Sequence, residues 1–416
     1  MKRTITLAAV ATLVAGSTAA EPLFWSTQAQ PIEETQAMRE QVLAGFPGGV
    51  SFQPADGGPW LTRIQAELQA GSGTIAVLGA LHGDFTLLAD GLADLSAVDV
   101  GAVAPGFVEL GKLGTGEQKY IPWMQASFVM AANRQALEYL PEGADLMALS
   151  YDELIAWARN MHEATGQPRF GFPAGPQGLR HRFFQGYLLP SFTGSMVSEF
   201  RSEAAEQAWE AFLELWAHTN PASTNFSFMQ EQLISGDAWV VFDHTARLAD
   251  AFNQRPDDFV AFPAPSGPAG RGFMPVLAGV AIPQTAPDMA TSLALVNYML
   301  QPETQIATLR ATNFFPVVEV ALPDDMPPSV QAAGAAIAAM SGADDALPAL
   351  LPVGLGPLGG QFNQIYADTF ERIVLARQPI RAVLDDQAGA LRRLMEEAGA
   401  PCWAPDAASE GACPVN

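Results

Sequence analysis

Two cysteines, five histidines and 44 carboxylates are the side chains from which this chain could build chemistry. The histidines (His82, His162, His181, His218, His244) fall on separate segments without the close spacing that metal ligands need, so no metal is expected. The Gly-x-Ser-x-Gly elbow, the Walker loop, His-Glu-x-x-His and the calcium-loop pattern are all missing from the sequence. Gly354-Leu355-Gly356-Pro357-Leu358-Gly359 has the spacing of a dinucleotide fingerprint, but it follows Pro352 instead of a strand and lies far downstream of the first β unit. It is read as a loop, and no cofactor is expected. A carboxylate pair for glycoside chemistry converges only in space, so no pair can be chosen from 44 acids. A secreted carbohydrate-active enzyme, glycosidase or lyase, therefore stays open as an alternative. Cys402 and Cys413 are both near the C-terminus, among Pro401, Pro405, Gly411 and Pro414, and are expected to pair in an oxidising compartment.

The chain has 416 residues, 49% apolar and 16% charged, enough for more than one core-bearing domain and unlike a disordered tail. The net charge of −23 makes nucleic acid an unsuitable partner. The acids are dispersed, as on a solvated surface. Lys2 and Arg3, an apolar run over 5–16 and Ser17-Thr18-Ala19-Ala20 form a secretory signal expected to be cut after Ala20. The run is too short to span a bilayer. Glu21 follows the cut with no lipid-accepting cysteine nearby, so the mature protein is expected free in a bacterial periplasm, as a monomer.

The elements that must position a site alternate at the N-terminus. Leu23-Phe24-Trp25 is β-prone, 32–43 helical, 49–52 β-prone, 60–69 helical and 74–79 a continuous apolar strand. This is the order of an α/β sheet, in which ligands sit outside the carboxyl ends of strands. That rule points to loops 26–30, 54–60 and 80–85. Helices dominate from Tyr151, beginning with the capping box Ser150-Tyr151-Asp152-Glu153 and continuing over 202–218, 287–300, 302–312, 362–376 and 380–398. Strand runs interrupt them at 238–242, 259–262 and 276–282, and the Pro- and Ala-rich stretch 323–352 is left unassigned.

Several segments, taken in order, resemble the maltose-binding-like extracellular solute-binding proteins of ABC importers. They are Leu81-His82-Gly83-Asp84-Phe85 with Ala89-Asp90-Gly91-Leu92-Ala93-Asp94-Leu95, then Lys119-Tyr120-Ile121-Pro122-Trp123 and Val129-Met130-Ala131-Ala132-Asn133. Further along come Ser235-Gly236-Asp237-Ala238-Trp239-Val240-Val241-Phe242, then Phe262 to Gly267 with Ala278 to Ile282, then Pro302-Glu303-Thr304-Gln305 and Phe315-Pro316. Ala132-Asn133 stands where the family often has Tyr-Asn, and Asp243-His244-Thr245-Ala246-Arg247 replaces an aromatic-containing turn.

The resemblance implies a type II periplasmic-binding-protein fold. One lobe would comprise 21–130 with 274–330, the other 131–273 with 331–400, and a disulfide-pinned tail would follow over 401–416. It further implies a carbohydrate-like ligand (sugar, oligosaccharide or polyol derivative), capture by closure of the lobes, delivery to a membrane permease, and no catalysis. A sugar needs aromatic platforms and planar polar groups. On that reading the candidate platforms are Trp60, Trp123, Phe273 and Phe314, and the polar candidates are His82, Asp84 and Gln125 from the first lobe and Asp243, His244 and Arg247 from the second. The stretch Arg180-His181-Arg182, with His244 and Arg247, would add an anionic preference if it faces the cleft.

Overall fold

The computed structural model describes residues 21–103 and 105–416; the expected export signal, 1–20, lies outside the described residues. The continuous apolar run after Thr74 becomes the strand Ile75–Leu81, in which all but Leu81 are buried. Such a run suits a strand covered on both faces. It sits inside a six-stranded sheet whose spatial order is Phe315–Pro316, Ile121–Ala126, Val276–Ala281, Ile75–Leu81, Leu23–Ser26, Ser51–Pro54. Leu23–Ser26 runs parallel to both of its neighbours, while Val276–Ala281 is antiparallel to Ile75–Leu81 and to Ile121–Ala126. Gly279 is required in that register, because a Cβ there would fall 2.1 Å from the Tyr120 ring.

The second sheet has the order Phe170–Gly171, Val240–His244, Phe128–Asn133, Phe259–Phe262. Its own core joins Trp157, Phe172, Phe184, Trp209 and Phe242 to Phe362, Phe370 and Leu391 of the C-terminal helices. The capping box forms as the sequence implies: Ser150 Oγ accepts from the Glu153 N–H at 3.2 Å, and Glu153 Oε2 accepts from the Ser150 N–H at 2.8 Å. Tyr151–Thr165 then runs to Gly166, which closes it in the left-handed region at φ 70°. The unassigned stretch holds a helix, Pro328–Ser341, packed on the strand Phe259–Phe262. Its alanine-rich sequence has little contrast between faces, so periodicity could not mark it.

The chain passes from the first sheet to the second at Ser127, between Ile121–Ala126 and Phe128–Asn133, and returns between Phe262 and Val276. One buried side chain ties the two crossings. Tyr187 Oη accepts from the Phe128 N–H at 3.1 Å and lies 3.3 Å from Ser127 Oγ, which in turn donates to the Met274 carbonyl at 3.2 Å. Phe314 packs against the cores of both bodies. The tail belongs to the second body as well. Trp403, Cys413 and Val415 are buried in its core, and Cys402 and Cys413 are joined.

Candidate functional site: the cleft between the two sheets

The parallel strands of the first sheet deliver their carboxyl ends to one edge, where two of the expected loops converge. Asp56 precedes the helix Gly57–Ala70, and Leu81 leads into the short turn His82–Phe85. Facing them from the second body are Arg182, the loop at Leu351 to Gly356, and the start of the helix Gly359–Phe370. Between these walls lies a cavity of about 580 Å³. That is within the range of about 300–1,000 Å³ of small-molecule sites. The apolar part of its lining comes from Leu61, Leu81, Leu87, Pro352 and Leu355, the polar part from Asp84, Gln65, Arg182 and Asn363.

The walls already touch at two points. A Cβ on Gly83 would come within 2.3 Å of the Pro352 carbonyl, and one on Gly356 within 3.0 Å of Leu87 Cδ1. Only a glycine lets the backbone of the first body approach that of the second so closely at Gly83.

The sequence-derived site residues divide by location. Asp84 lines the cavity with its carboxylate open to solvent, yet the surrounding protein displaces enough water to push its pKa up to about 6. Trp60 also borders the cavity, but as part of its floor: it is 1% exposed, packs edge-on against Phe85, and donates from Nε1 to the Trp25 carbonyl at 3.1 Å. His82 points the other way, with Nδ1 2.7 Å from Tyr120 Oη, and burial pushes it down to about 4, so it is neutral.

The structure places Trp123 fully inside the first core, 5.4 Å from Phe24, where it offers no platform. The period-two strand pattern turns its ring inward. Gln125 donates to the Pro316 carbonyl at 3.0 Å and so fixes the sheet edge instead of facing the cavity. Phe273 is buried in the second core, and Phe314 is wedged at the junction, 6.0 Å from His244.

In the second body Asp243 is fully buried, accepting from the N–H groups of Met229 at 2.9 Å and His244 at 2.8 Å, and burial pushes it up to about 6. It holds a turn together. His244 accepts from the Ala246 N–H, stacks edge-on against Phe128, and is pushed down to about 4 by burial and then by Arg247. Arg247 lies over Phe228 and donates to the Ser227 carbonyl at 3.2 Å. Arg180 pairs with Glu371 at 2.7 Å and donates to the Gly175 carbonyl.

Of the basic stretch it is Arg182, two residues on, that reaches the cavity. Asn363 and the 351–359 loop were not anticipated as lining. Their signal was present in the glycine run 354–359, whose φ of 73° at Gly354 and 50° at Gly356 marks a turn-built loop. Among the described residues no cluster of three or more His, Cys, Asp or Glu side chains could hold a metal.

The profile of the family described as bacterial extracellular solute-binding protein matches residues 33–306. The chain belongs to that family, whose members are non-catalytic solute receptors working with ABC importers. This sets aside the glycosidase or lyase alternative. No curated protein sequence matches the chain. Among solved structures, it is similar to the sugar-binding protein MalE from Xanthomonas citri (TM-score 0.70, 15% identity, covering 90% of this chain and 97% of that one). It is also similar to the GacH receptor of Streptomyces glaucescens, solved unliganded and with acarbose (TM-score 0.67, 19% identity, 90% and 98% covered). A third similar structure is UgpB from Mycobacterium tuberculosis in complex with glycerophosphocholine (TM-score 0.68, 17% identity, 91% and 99% covered). At these identities the likeness establishes the two-sheet binding-protein fold.

Proposed function

We propose that this chain is a periplasmic receptor for a carbohydrate or polyol derivative, which it captures between the two sheet bodies and delivers to an inner-membrane ABC permease. The observation that carries this reading is the cavity of about 580 Å³, with one wall from each body, leucine and proline side chains alternating with Asp84, Arg182 and Asn363. A sugar presents the complementary surface, apolar C–H faces bordered by hydroxyls. Solved relatives of the same fold that bind acarbose, maltose and other oligosaccharides support the ligand class. The two crossings tied at Tyr187 support hinge closure, with the body of the first sheet moving against the body of the second about Ser127 and Met274.

The test is thermal unfolding of the chain from Glu21 onward against mono- and disaccharides, polyols, sugar acids and sugar phosphates. Ligand at a hundredfold its dissociation constant adds about 2.7 kcal/mol of stability. A melting shift confined to one of these classes, with the compound recovered unaltered, is the expected result; amino acids or peptides stabilising the protein while every carbohydrate fails would reject it.

A further inference from the structure

The two polar side chains that the second body brings to the cavity, Arg182 and Asn363, face it as hydrogen-bond donors, and that direction is fixed by covalent chemistry. Arg182 Nη1 donates to Gln185 Oε1 at 3.1 Å, and Gln185 Nε2 donates to Asn363 Oδ1 at 3.0 Å. A guanidinium has no acceptor, so Gln185 must turn its carbonyl toward Arg182 and its amide toward Asn363. Asn363 must then meet that amide with its own carbonyl, which leaves its NH₂ group for the cavity it lines. Gln185 is fully buried, so the relay cannot swing away.

Charge points the same way. Arg180 is neutralised by Glu371. Arg247 is influenced by the buried carboxylate of Asp243. Arg182 has no carboxylate within 4.0 Å among the described residues. His181 beside it accepts no extra proton that would need balancing: burial, then the charges of Arg182, Arg180 and Arg247, hold it down at about 3. Asp84 lines the same cavity from the opposite wall, yet it does not pair with Arg182 even though the bodies already touch at Gly83, its chain neighbour. A guanidinium partly withdrawn from water with no anionic partner is costly unless a ligand supplies one.

We propose that the ligand is an anionic carbohydrate or polyol whose carboxylate or phosphate docks on Arg182 and the Asn363 amide, while its hydroxyls donate to Asp84 on the facing wall. This rests on the carbohydrate reading of the cleft and narrows it. Guanidinium suits both oxyanions because its fork matches their paired oxygens.

The experiment compares wild type, Arg182→Gln, Arg182→Lys and Gln185→Glu by thermal unfolding and titration calorimetry. The probes are sodium sulfate, inorganic phosphate and acetate against sodium chloride at matched ionic strength, and then glucose, glucuronate and glucose 6-phosphate. Gln185→Glu replaces no residue that lines the cavity, but gives Arg182 an internal carboxylate and turns the Asn363 amide so that its carbonyl faces the ligand. Sulfate exclusion raises all melting temperatures together, so the readout is the saturable difference between proteins.

The expected result is a saturable oxyanion response in wild type, weakened on the order of ten- to a hundredfold by Arg182→Gln and by Gln185→Glu, and less by Arg182→Lys. Glucuronate or glucose 6-phosphate outperforming the other identifies carboxylate or phosphate as the group. Absence of a saturable oxyanion response in wild type, or an equal one in all four proteins, overturns the proposal. Neutral glucose stabilising every protein equally overturns it too, but leaves the carbohydrate reading intact. Saturable binding of inorganic oxyanions, lost in the variants, with no carbohydrate of either charge binding, keeps the anion site and rejects the carbohydrate.

Discussion

His82 and Asp84 are two residues apart on one turn, and both leave their ordinary ionisation range because water is withdrawn from them, but with opposite consequences. His82 is neutral at pH 7 and stays so down to about pH 4, with Nδ1 placed to accept from Tyr120 Oη, whose own pKa burial raises. Unfolded, the same imidazole takes a proton near its ordinary pKa of about 6.5. Between about pH 6.5 and 4 the unfolded chain therefore binds a proton that the folded one refuses, and stability falls as pH falls, by up to about 1.4 kcal/mol per pH unit. Asp84 and Asp243, both pushed up to about 6, act in the other direction: the folded chain takes their protons first, so their contribution rises as pH falls through 6. The diagnostic quantity is thus a difference between proteins. His82→Gln should be less stable than wild type by about 1–2 kcal/mol at pH 7, because Tyr120 loses its partner, and should show a shallower loss of stability between pH 6.5 and 4. Urea unfolding at a series of pH values checks this, and parallel curves for the two proteins would count against His82 as the buried neutral group.

At the scale of elements, the C-terminal tail is closed on itself by one link and tied to the loop after Thr193 by another. The disulfide joins Cys402 to Cys413, and between them the buried Asp406 accepts from Ser195 Oγ at 2.5 Å and from the N–H groups of Met196 at 2.7 Å, Val197 at 3.1 Å and Ser198 at 2.7 Å. Four donors on one carboxylate organise the turn that leads into the helix Glu203–Ala217. Asp406→Ala should lower unfolding free energy by about 3 kcal/mol, since buried donors are left without an acceptor. Replacing both cysteines with serine should cost about 2–3 kcal/mol on the loop-entropy account. Because both hold the same segment, chemical denaturation of the combined variant should show less than the sum of the two losses. Tyr187→Phe tests the other joint: losing the hydroxyl that meets Phe128 and Ser127 should cost about 1–2 kcal/mol by the same measurement.

These elements also show what could be read from sequence. The disulfide, the capping box and the strand Ile75–Leu81 rest on local chemistry, which a sequence carries directly. Asp84 was legible because the ends of parallel strands gather at one edge. Trp123 was not, because its residue type suits a sugar platform and a core equally, and only the pleat decides which face it takes. Arg182 and Asn363 are 181 residues apart in sequence and meet through Gln185; a relay of that kind has no signature until the helices are packed.

The whole molecule depends on how closely its two bodies can approach. At Gly83 the backbone of the first body lies so near the Pro352 carbonyl of the second that a methyl group at the Cβ position would sit 2.3 Å from the oxygen. The obstacle is backbone, which cannot rotate aside like a side chain. Gly83 does not adopt a positive φ, so alanine is tolerated by the turn itself; the penalty arises only when the bodies come together. Gly83→Ala should therefore leave each body folded and the melting temperature of the free protein close to wild type, while shifting the population toward separated bodies. Apparent affinity falls in proportion to the fraction still able to close, and a penalty of about 2 kcal/mol makes that fall about thirtyfold. Small-angle scattering with saturating ligand should then show a larger radius of gyration for the variant than for wild type. Equal affinity together with an equal radius would mean that the Gly83 contact is not part of the bound state, and that ligand is held with the bodies further apart than they stand here.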